Sequence, residues 1–370
     1  MATAALSPGD IASPIRWILR HQQNVEVLLA DVRAIDPAAR TVVTDRETMA
    51  YDYLIVATGA AHAYFGHPEW AKRAPGLKTL DDALEMRRRV LLAFEAAEGE
   101  ADPAAQRRLL TFVIVGGGPT GVELAGALGE IARQTLRDDF RHIRPESSRI
   151  LLVEGGPHVL PSFPDSLRSA ARASLEELGV EVRTNTVVTA IDDDGVTAGG
   201  EKIPAQTILW AAGVEASPLG ASLGVPLDRA GRVTPEPTLR IPGHPEVFVA
   251  GDLCAFVQDG RPLPGVAQVA KQEGTHAARN VLRAVRGEPL EPFHYVDFGS
   301  VATIGRGAAV VDIGPVRASG WLAWLFWLFL HIFWLIGFRN RIAVLGEWAW
   351  SYLTRQRRVR LITGGATRVQ

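Results

Sequence analysis

The sequence predicts an α/β protein that contains two nested Rossmann-like units and ends in an apolar C-terminal region. Three observations lead to this prediction. A buried-strand pattern at residues 112–115 runs into the Gly-rich turn 116–121, and a helical pattern follows the turn. A block of predicted strands at residues 25–59 resembles a second block at residues 180–213. The segment 320–338 is apolar on nearly every face of a helix.

The Gly-rich turn is typical of a dinucleotide site because a strand precedes it and a helix follows it. Gly116 permits the tight turn, Gly118 lets the backbone approach a pyrophosphate, and Gly121 allows the helix to pack close to the strand. The helix N-terminus offers free N–H groups and the positive end of its dipole to phosphate oxygens. An ordinary Gly-rich turn is the alternative.

Glu154 ends the next predicted strand, at residues 150–153. A carboxylate in this place accepts hydrogen bonds from a ribose 2′-OH and repels a 2′-phosphate, so it favours NAD over NADP. It lies further along the chain than the usual ~20 residues, and the charged stretch 137–149 accounts for the excess. A solvated glutamate at a strand end is the alternative.

The composition excludes several other kinds of chemistry. With Cys254 as its single cysteine, the chain of 370 residues cannot form an intramolecular disulfide, a CxxC pair or a cysteine metal cluster. The nine histidines show no metal-binding pattern, and a net charge of -2 argues against a nucleic-acid-binding protein. Redox chemistry would therefore depend on a bound cofactor.

The periodicity of apolar residues predicts the other strands and helices. The predicted strands lie at residues 25–35, 41–44, 53–57, 180–183, 186–192, 208–211, 247–250, 295–297 and 301–304. The predicted helices lie at residues 15–22, 81–97, 119–136, 167–178 and 265–285.

The two similar blocks predict an internal repeat with an offset near 155 residues. The segments that match are 25–27 with 180–182, 34–36 with 190–192, and 57–59 with 211–213. Gly116 precedes the second block by about 64 residues, and the same spacing in the first block falls before residue 1. We therefore predict that the first unit lacks its opening βαβ element.

The C-terminal apolar segment predicts association with a membrane. A stretch of about 20 apolar residues is long enough to cross a bilayer, and residues 320–338 have this length. Arg339 and Arg341 follow directly, and residues 342–352 share an apolar helical face before a basic end. We predict a monotopic anchor on an anionic lipid surface rather than a true span.

Taken together, the motifs resemble the two-dinucleotide-domain flavoprotein reductases, whose fold is glutathione-reductase-like. Within that superfamily the chain most resembles the type II NADH:quinone oxidoreductases, which are single-subunit, non-pumping NADH dehydrogenases. The motifs that carry the resemblance are VIVGGGPTGVELAG, ILWAAGV, VFVAGD, GVAQVAKQEG and the GFRNR-like tail.

The resemblance implies a role for each matching residue. NAD(H) would be held by Gly116, Gly118, Gly121, Glu154, Ala212 and Gly213. FAD would be surrounded by Ala57, Thr58, Gly59, Gly251, Asp252, Ala267 and Gln268. The residues implied to act in catalysis are Glu123, near the nicotinamide, and Gln268 and Gln272, in a quinone pocket. By their own pattern, these two glutamines one helical turn apart are equally compatible with a polar surface.

The implied activity is hydride transfer from NADH to N5 of FAD, followed by electron transfer to a membrane quinone. The implied division of the chain is 1–106 and 237–312 for FAD, 107–236 for NAD, and 313–370 for membrane-anchoring helices. The resemblance also implies a place on the cytoplasmic face of the inner membrane and a possible homodimer. A sulfide:quinone reductase is disfavoured because that chemistry needs paired cysteines.

The chain departs from this family in two ways. The FAD-binding GxGxxG with which the family begins is missing here, so we predict weak FAD binding. Phe298 stands where related sequences often carry a lysine, which leaves a quinone role for that position unsupported. The alternative function is a non-catalytic NAD-binding membrane protein with a vestigial flavin site.

Overall fold

The computed structural model describes residues 2, 7–334, 341, 342, 344–346, 348, 350 and 360–362. The helices within residues 7–334 are α1 (Pro8–Ile11), α2 (Ile15–Ile18), α3 (Leu80–Glu98), α4 (Pro103–Leu109), α5 (Pro119–Glu130), α6 (Asp165–Glu177), α7 (Leu219–Ser222), α8 (Ala267–Val285) and α9 (Trp321–Trp334). The strands in the same range are β1 (Val32–Asp36), β2 (Thr41–Thr44), β3 (Thr48–Ala50), β4 (Leu54–Val56), β5 (Ala60–His62), β6 (Thr111–Val115), β7 (Arg149–Val153), β8 (Val180–Arg183), β9 (Val188–Asp192), β10 (Gly195–Ala198), β11 (Glu201–Pro204), β12 (Thr207–Trp210), β13 (Val214–Ala216), β14 (Arg240–Ile241), β15 (His244–Val249), β16 (Val257–Gln258), β17 (Arg261–Pro262), β18 (Ser300–Gly305), β19 (Ala308–Ile313) and β20 (Val316–Gly320).

The chain forms two compact units. Unit 1 consists of Met1–Ile18, Tyr64–Gly213 and Gly299–Gln370, and unit 2 consists of Leu19–Ala63 and Val214–Phe298. The predicted domain boundaries at residues 106, 236 and 312 differ from these edges. The boundary predicted at residue 106 differs because α3 belongs to unit 1, where its buried side chains share a hydrophobic cluster with β6.

Unit 1 is organised around a four-stranded parallel sheet in the order β12-β6-β7-β8. Every residue of β6 and β12 is buried, as expected for a parallel strand covered on both faces. The phenyl rings of Phe94 on α3 and Phe112 on β6 lie 5.2 Å apart. Two antiparallel sheets, β11-β10-β9 and β18-β19-β20, complete the unit.

Unit 2 has a smaller sheet in the order β14-β15-β4, in which β15 and β4 run parallel. An antiparallel sheet, β1-β2-β3, precedes β4 in the chain. The buried face of α8 contributes Val269 and Ala277 to a cluster that also contains Phe248 of β15. This core fixes the position of the α8 N-terminus relative to the end of β15.

The structure confirms the predicted repeat for four consecutive strands. In each unit an antiparallel three-stranded sheet is followed by a strand that joins the parallel sheet: β1 to β4 in unit 2, and β9 to β12 in unit 1. The first residues of the matching strands are separated by 156, 154, 153 and 153 positions, from 32 and 188, 41 and 195, 48 and 201, and 54 and 207.

The predicted strand at residues 25–35 is wrong in its first part, since only β1 forms there. The segment of unit 1 that matches residues 25–27 is β8, which pairs with β7. Among the described residues of unit 2, no strand corresponds to β7. Val25, Leu28 and Leu29 are therefore left exposed, and their backbone has no sheet partner in the described part of the chain.

Three further segments differ from their predictions. The helix predicted for residues 119–136 changes at Ile131 into a π-helical turn that ends at Thr135, and the helix predicted for 15–22 is limited to α2. No strand forms at residues 295–297. The amides of Gln258 and Gln272 bond the backbone of Tyr295 and Val296 there, so side chains replace a neighbouring strand.

Within the predicted apolar segment 320–338, residue 320 ends β20 and residues 321–334 form α9. Residues 335–338 lie outside the described residues. One face of α9 buries Ala323 and Trp324 against β19, whereas Leu322 and Phe329 on the other face are exposed. Among the described residues, we find no helix whose length and apolar character suffice to span a membrane. Of the predicted amphipathic helix at 342–352, residues 342, 344–346, 348 and 350 are described and each is helical, and the other residues of this segment lie outside the described residues.

Candidate functional site

The carboxyl ends of three parallel strands of unit 1 lie side by side. Trp210 of β12 pairs with Val115 of β6, and Val115 pairs with Val153 of β7. The segments that follow these strands are 116–121, the residue Glu154, and 211–213. The structure therefore brings the predicted NAD(H) residues of these three segments to one edge of the sheet, as parallel strand order requires.

Two glycines of the turn are required by close backbone approach. Gly116 has φ +111°, and a Cβ atom there would lie 2.5 Å from Ala211 O. A Cβ atom on Gly121 would lie 1.8 Å from Gly116 O. No side chain fits at either position, so the turn geometry depends on both glycines.

The N-terminus of α5 faces open space. Gly118 is the N-cap residue, no side chain caps the helix, and Pro119 occupies its first turn. A Cβ atom on Gly118 would meet no heavy atom within 4 Å. The uncapped N–H groups and the free space beside Gly118 fit the pyrophosphate of a dinucleotide.

The carboxylate of Glu154 lies across this turn. Oε2 accepts a hydrogen bond from Gly117 N at 2.5 Å, and Oε1 accepts one from Gly156 N at 2.6 Å. The side chain is only partly buried, and each carboxylate oxygen can accept a further bond. This placement fits an acceptor for ribose hydroxyl groups.

An aromatic group that the sequence reasoning missed surrounds the end of β12. The rings of Tyr64, Phe65 and Trp70 lie 5.1, 6.2 and 5.7 Å from that of Trp210. Gly213, with φ +79°, is needed here because its Cβ would lie 2.6 Å from the Phe65 ring. Ala212 is partly buried against the same group. The cluster of aromatic residues in the range 64–70 is the sequence signal that could have identified this group.

Glu123 lies in the second turn of α5 and is partly buried. Burial raises the pKa of its carboxyl to about 7, and the weak hydrogen bond that Oε1 accepts from Thr303 N, at 3.4 Å, only partly opposes this. A carboxyl with a pKa near neutrality can both hold and release a proton under physiological conditions.

Replacing Glu123 by glutamine is expected to change how stability depends on pH. The folded carboxyl keeps its proton up to pH about 7, whereas the unfolded one loses it near pH 4.5. Stability is therefore lost as the pH rises between these values, and the variant avoids this loss. We expect Glu123→Gln to match the wild type near pH 4.5 and to exceed its free energy of unfolding by up to about 3 kcal/mol above pH 7.

Denaturant titrations of both proteins at a series of pH values measure this difference. A difference between the two proteins that stays constant with pH would contradict the raised pKa of Glu123.

In unit 2, the predicted flavin residues also meet at one sheet edge. Val249 of β15 pairs with Val56 of β4, and Ala250 N donates a hydrogen bond to Val56 O at 3.1 Å. The segments 57–59 and 251–252 therefore leave the sheet together. Helix α8 begins at Ala267, and no side chain caps it.

Gln268 and Gln272 both reach the segment 295–298, as their predicted common face requires. Gln268 Oε1 lies 3.5 Å from Tyr295 Oη and 3.4 Å from Phe298 N. Gln272 donates to Val296 O at 2.9 Å and accepts from Val296 N at 3.0 Å. In this arrangement Gln272 supports the backbone, and its predicted contact with quinone stays a prediction.

Glu273 is a further residue at this edge that the sequence reasoning missed. Its Oε2 accepts a hydrogen bond from Gly251 N at 2.7 Å. A signal for it exists in the spacing, because Glu273 shares the buried face of α8 with Val269, Ala277 and Asn280. A charged residue within an apolar stripe of this kind is uncommon and calls for a partner.

The two units differ in how well they fit a dinucleotide. Unit 1 offers a complete strand, Gly-rich turn and helix N-terminus. The described residues of unit 2 include Gly59, Asp252 and Gln268, whose contacts with FAD stay a prediction, and they include no Gly-rich turn at a helix N-terminus.

Comparison with known proteins agrees with this geometry. The model of the family "Pyridine nucleotide-disulphide oxidoreductase" matches residues 2–274. The chain is 49% identical to the type II NADH:quinone oxidoreductase NdhA of Mycobacterium tuberculosis, over 98% of this chain and 80% of the relative. The chain belongs to the type II NADH:quinone oxidoreductase family. The family predicted from the sequence motifs is thus confirmed.

Other type II NADH:quinone oxidoreductases and related enzymes are also similar. The Ndh protein of M. tuberculosis is 45% identical over 96% of this chain and 80% of its own length. The solved structure of NDH2 from Plasmodium falciparum in complex with NADH has a TM-score of 0.88 at 19% identity, covering 98% of this chain and 91% of that chain. This likeness confirms the predicted α/β fold with Rossmann-like sheets.

Proposed function

We propose that this chain is a non-proton-pumping NADH:quinone oxidoreductase that takes a hydride from NADH and delivers electrons through FAD to a membrane quinone. The membership in the type II NADH:quinone oxidoreductase family confirms the predicted enzyme class and its cofactors, FAD and NAD(H). The observation that carries the assignment of residues is the edge of unit 1 where the Gly-rich turn and Glu154 meet.

The residues of unit 1 bind and orient NADH. The N–H groups at the start of α5 receive the pyrophosphate, and Glu154 receives the ribose hydroxyls. Orientation of this kind lowers the barrier because the nicotinamide is held in one position. Bound FAD supplies the hydride-accepting ring and the one- or two-electron chemistry.

Glu123 is the residue of unit 1 that we propose to handle a proton. A carboxyl whose pKa is about 7 is suited to exchange a proton near neutral pH. In unit 2, Gln268 is proposed to contact the flavin and the quinone, with Gln272 holding the adjacent backbone.

The exposed face of α9 is proposed to lie in the surface of a membrane. Trp321, Leu322, Phe329 and Phe333 are exposed on a helix of 14 residues. An exposed apolar patch of this size with aromatic side chains fits the lipid interface, and Arg341 adds positive charge for an anionic surface. We place the chain on the cytoplasmic face of the inner membrane, and a homodimer stays a prediction.

The alternative function is a non-catalytic NAD-binding membrane protein with a vestigial flavin site.

NADH oxidation by the purified full chain tests the enzymatic proposal. We expect NADH oxidation that depends on FAD and on quinone in anionic liposomes. Neutral liposomes and a water-soluble short-chain quinone serve as controls for the membrane. NADH binding without oxidation at saturating FAD and quinone would contradict the enzymatic proposal.

A further inference from the structure

The strongest unassigned feature of unit 2 is the carboxyl group of Glu273. This residue is fully buried, at 0% exposure, on the inner face of α8. Its Oε2 accepts the hydrogen bond from Gly251 N at 2.7 Å, directly before Asp252. Its Oε1 is buried without a hydrogen bond of acceptable geometry.

Few charged groups surround this carboxyl. The thiol of Cys254 lies close to it, Asp252 acts on it as a like charge, and Arg232 acts as an opposite charge. A buried carboxylate with one unbonded oxygen is costly, so burial favours the protonated form and raises the pKa of Glu273 to about 7. Burial likewise raises the pKa of the Cys254 thiol, which excludes a reactive thiolate.

The turn that Glu273 contacts needs such support. Gly251 has φ +76°, and the next residue presents the carboxylate that the proposed function assigns to FAD. Cys254 N donates to Gly251 O at 2.8 Å and closes the turn on its other side. The hydrogen bond from Gly251 N to Glu273 joins this turn to α8.

We propose that Glu273 is a positioning residue that holds the Gly251–Asp252 turn in place, so that the Asp252 carboxylate is presented to the polyol chain of a flavin nucleotide. Only the identity of the ligand in this inference rests on the proposed function. The link between α8 and the turn is a property of the folded chain. Glu273 itself contacts neither cofactor nor substrate in this role.

Hydrogen–deuterium exchange of the full chain tests the link without any ligand. We expect Glu273→Leu to speed exchange in residues 250–254 by at least about tenfold, because the acceptor is lost. Glu273→Gln keeps an acceptor for Gly251 N and should stay within about threefold of wild type. The side chain in Glu273→Asp is one methylene shorter, so this variant should speed exchange as the leucine variant does. If the leucine variant does not fold, the aspartate variant tests the positioning role in its place.

Glu246 provides the matched control. It is another buried glutamate of unit 2, 6% exposed, but it lies on β15 near the opposite end of the strand. Exchange in residues 250–254 should not increase in Glu246→Leu. An equal increase in both leucine variants, or no increase in Glu273→Leu and Glu273→Asp, would overturn the positioning role.

Titration with FAD, followed by flavin fluorescence, adds a functional readout. The leucine variant should bind at least about tenfold more weakly than wild type, and the glutamine variant should restore binding. In wild type we expect the affinity to decline above pH about 7, where Glu273 ionises beside Asp252, and the glutamine variant should not show this decline. If wild type binds no FAD, the proposed function fails there, while the exchange result still decides the role of Glu273.

Discussion

Replacing Gly121 by alanine is expected to abolish NADH binding and to destabilise unit 1. The new Cβ would lie 1.8 Å from Gly116 O, and backbone cannot rotate aside as a side chain can. Either α5 moves away from β6 or the turn opens. Overpacking of this kind costs about 1–3 kcal/mol or more, and we expect NADH affinity to fall by at least about 100-fold.

Calorimetric titration with NADH and thermal unfolding measure the two effects, and Gly118→Ala is the matched control. A Cβ at Gly118 meets no heavy atom within 4 Å, and its φ of −70° suits alanine. We expect this variant to unfold within about 0.5 kcal/mol of wild type, while NADH affinity falls because the methyl group occupies space beside the turn. A Gly121→Ala protein that binds NADH as wild type does would contradict the assigned site.

Replacing Glu154 by alanine is expected to remove most of the preference for NADH over NADPH. The variant loses the acceptor for the ribose hydroxyls and the negative charge that repels a 2′-phosphate. It also frees the amides of Gly117 and Gly156, which the carboxylate now bonds. At about 1.5–3 kcal/mol for each charge-assisted bond, we expect the ratio of the two affinities to change by about 100-fold.

Dissociation constants for both nucleotides, measured on the same preparations, check this result. The ratio serves as an internal control, because a turn that merely loosens weakens NADH and NADPH alike. Parallel losses with an unchanged ratio would show that Glu154 only supports the turn. The Glu154→Gln variant, which keeps an acceptor without the charge, should lie between wild type and alanine.

The predictions that succeeded depend on neighbours along the chain. The turn 116–121 and the acid that ends the next strand follow from strand, turn and helix patterns within about 45 residues. The repeat at residues 25–59 and 180–213 is also confirmed in strands β1–β4 and β9–β12, because each copy shows its own local pattern although the two copies lie about 155 residues apart. Each of these signals lies in the order of residue types, so the structure could add only distances to them.

The predictions that failed depended on a partner far away in the chain. Residues 25–29 have the alternation of a strand, yet the described residues of unit 2 include no strand beside them. Residues 295–297 have the pattern of a strand, but the side chains of Gln258 and Gln272 accept the hydrogen bonds from their backbone N–H groups. A pattern shows that a segment can pair, and it does not show what is present to pair with.

The sequence by itself determined the family and the dinucleotide turn, and it led to the expectation that NAD is preferred over NADP. These three follow from residue types at short spacing. Only the tertiary structure decided that Glu123 and Glu273 are carboxyls with raised pKa values and that α3 belongs to unit 1. The reason is desolvation and long-range packing: the proton affinity of a carboxyl depends on what surrounds it in space, and those neighbours come from distant parts of the chain.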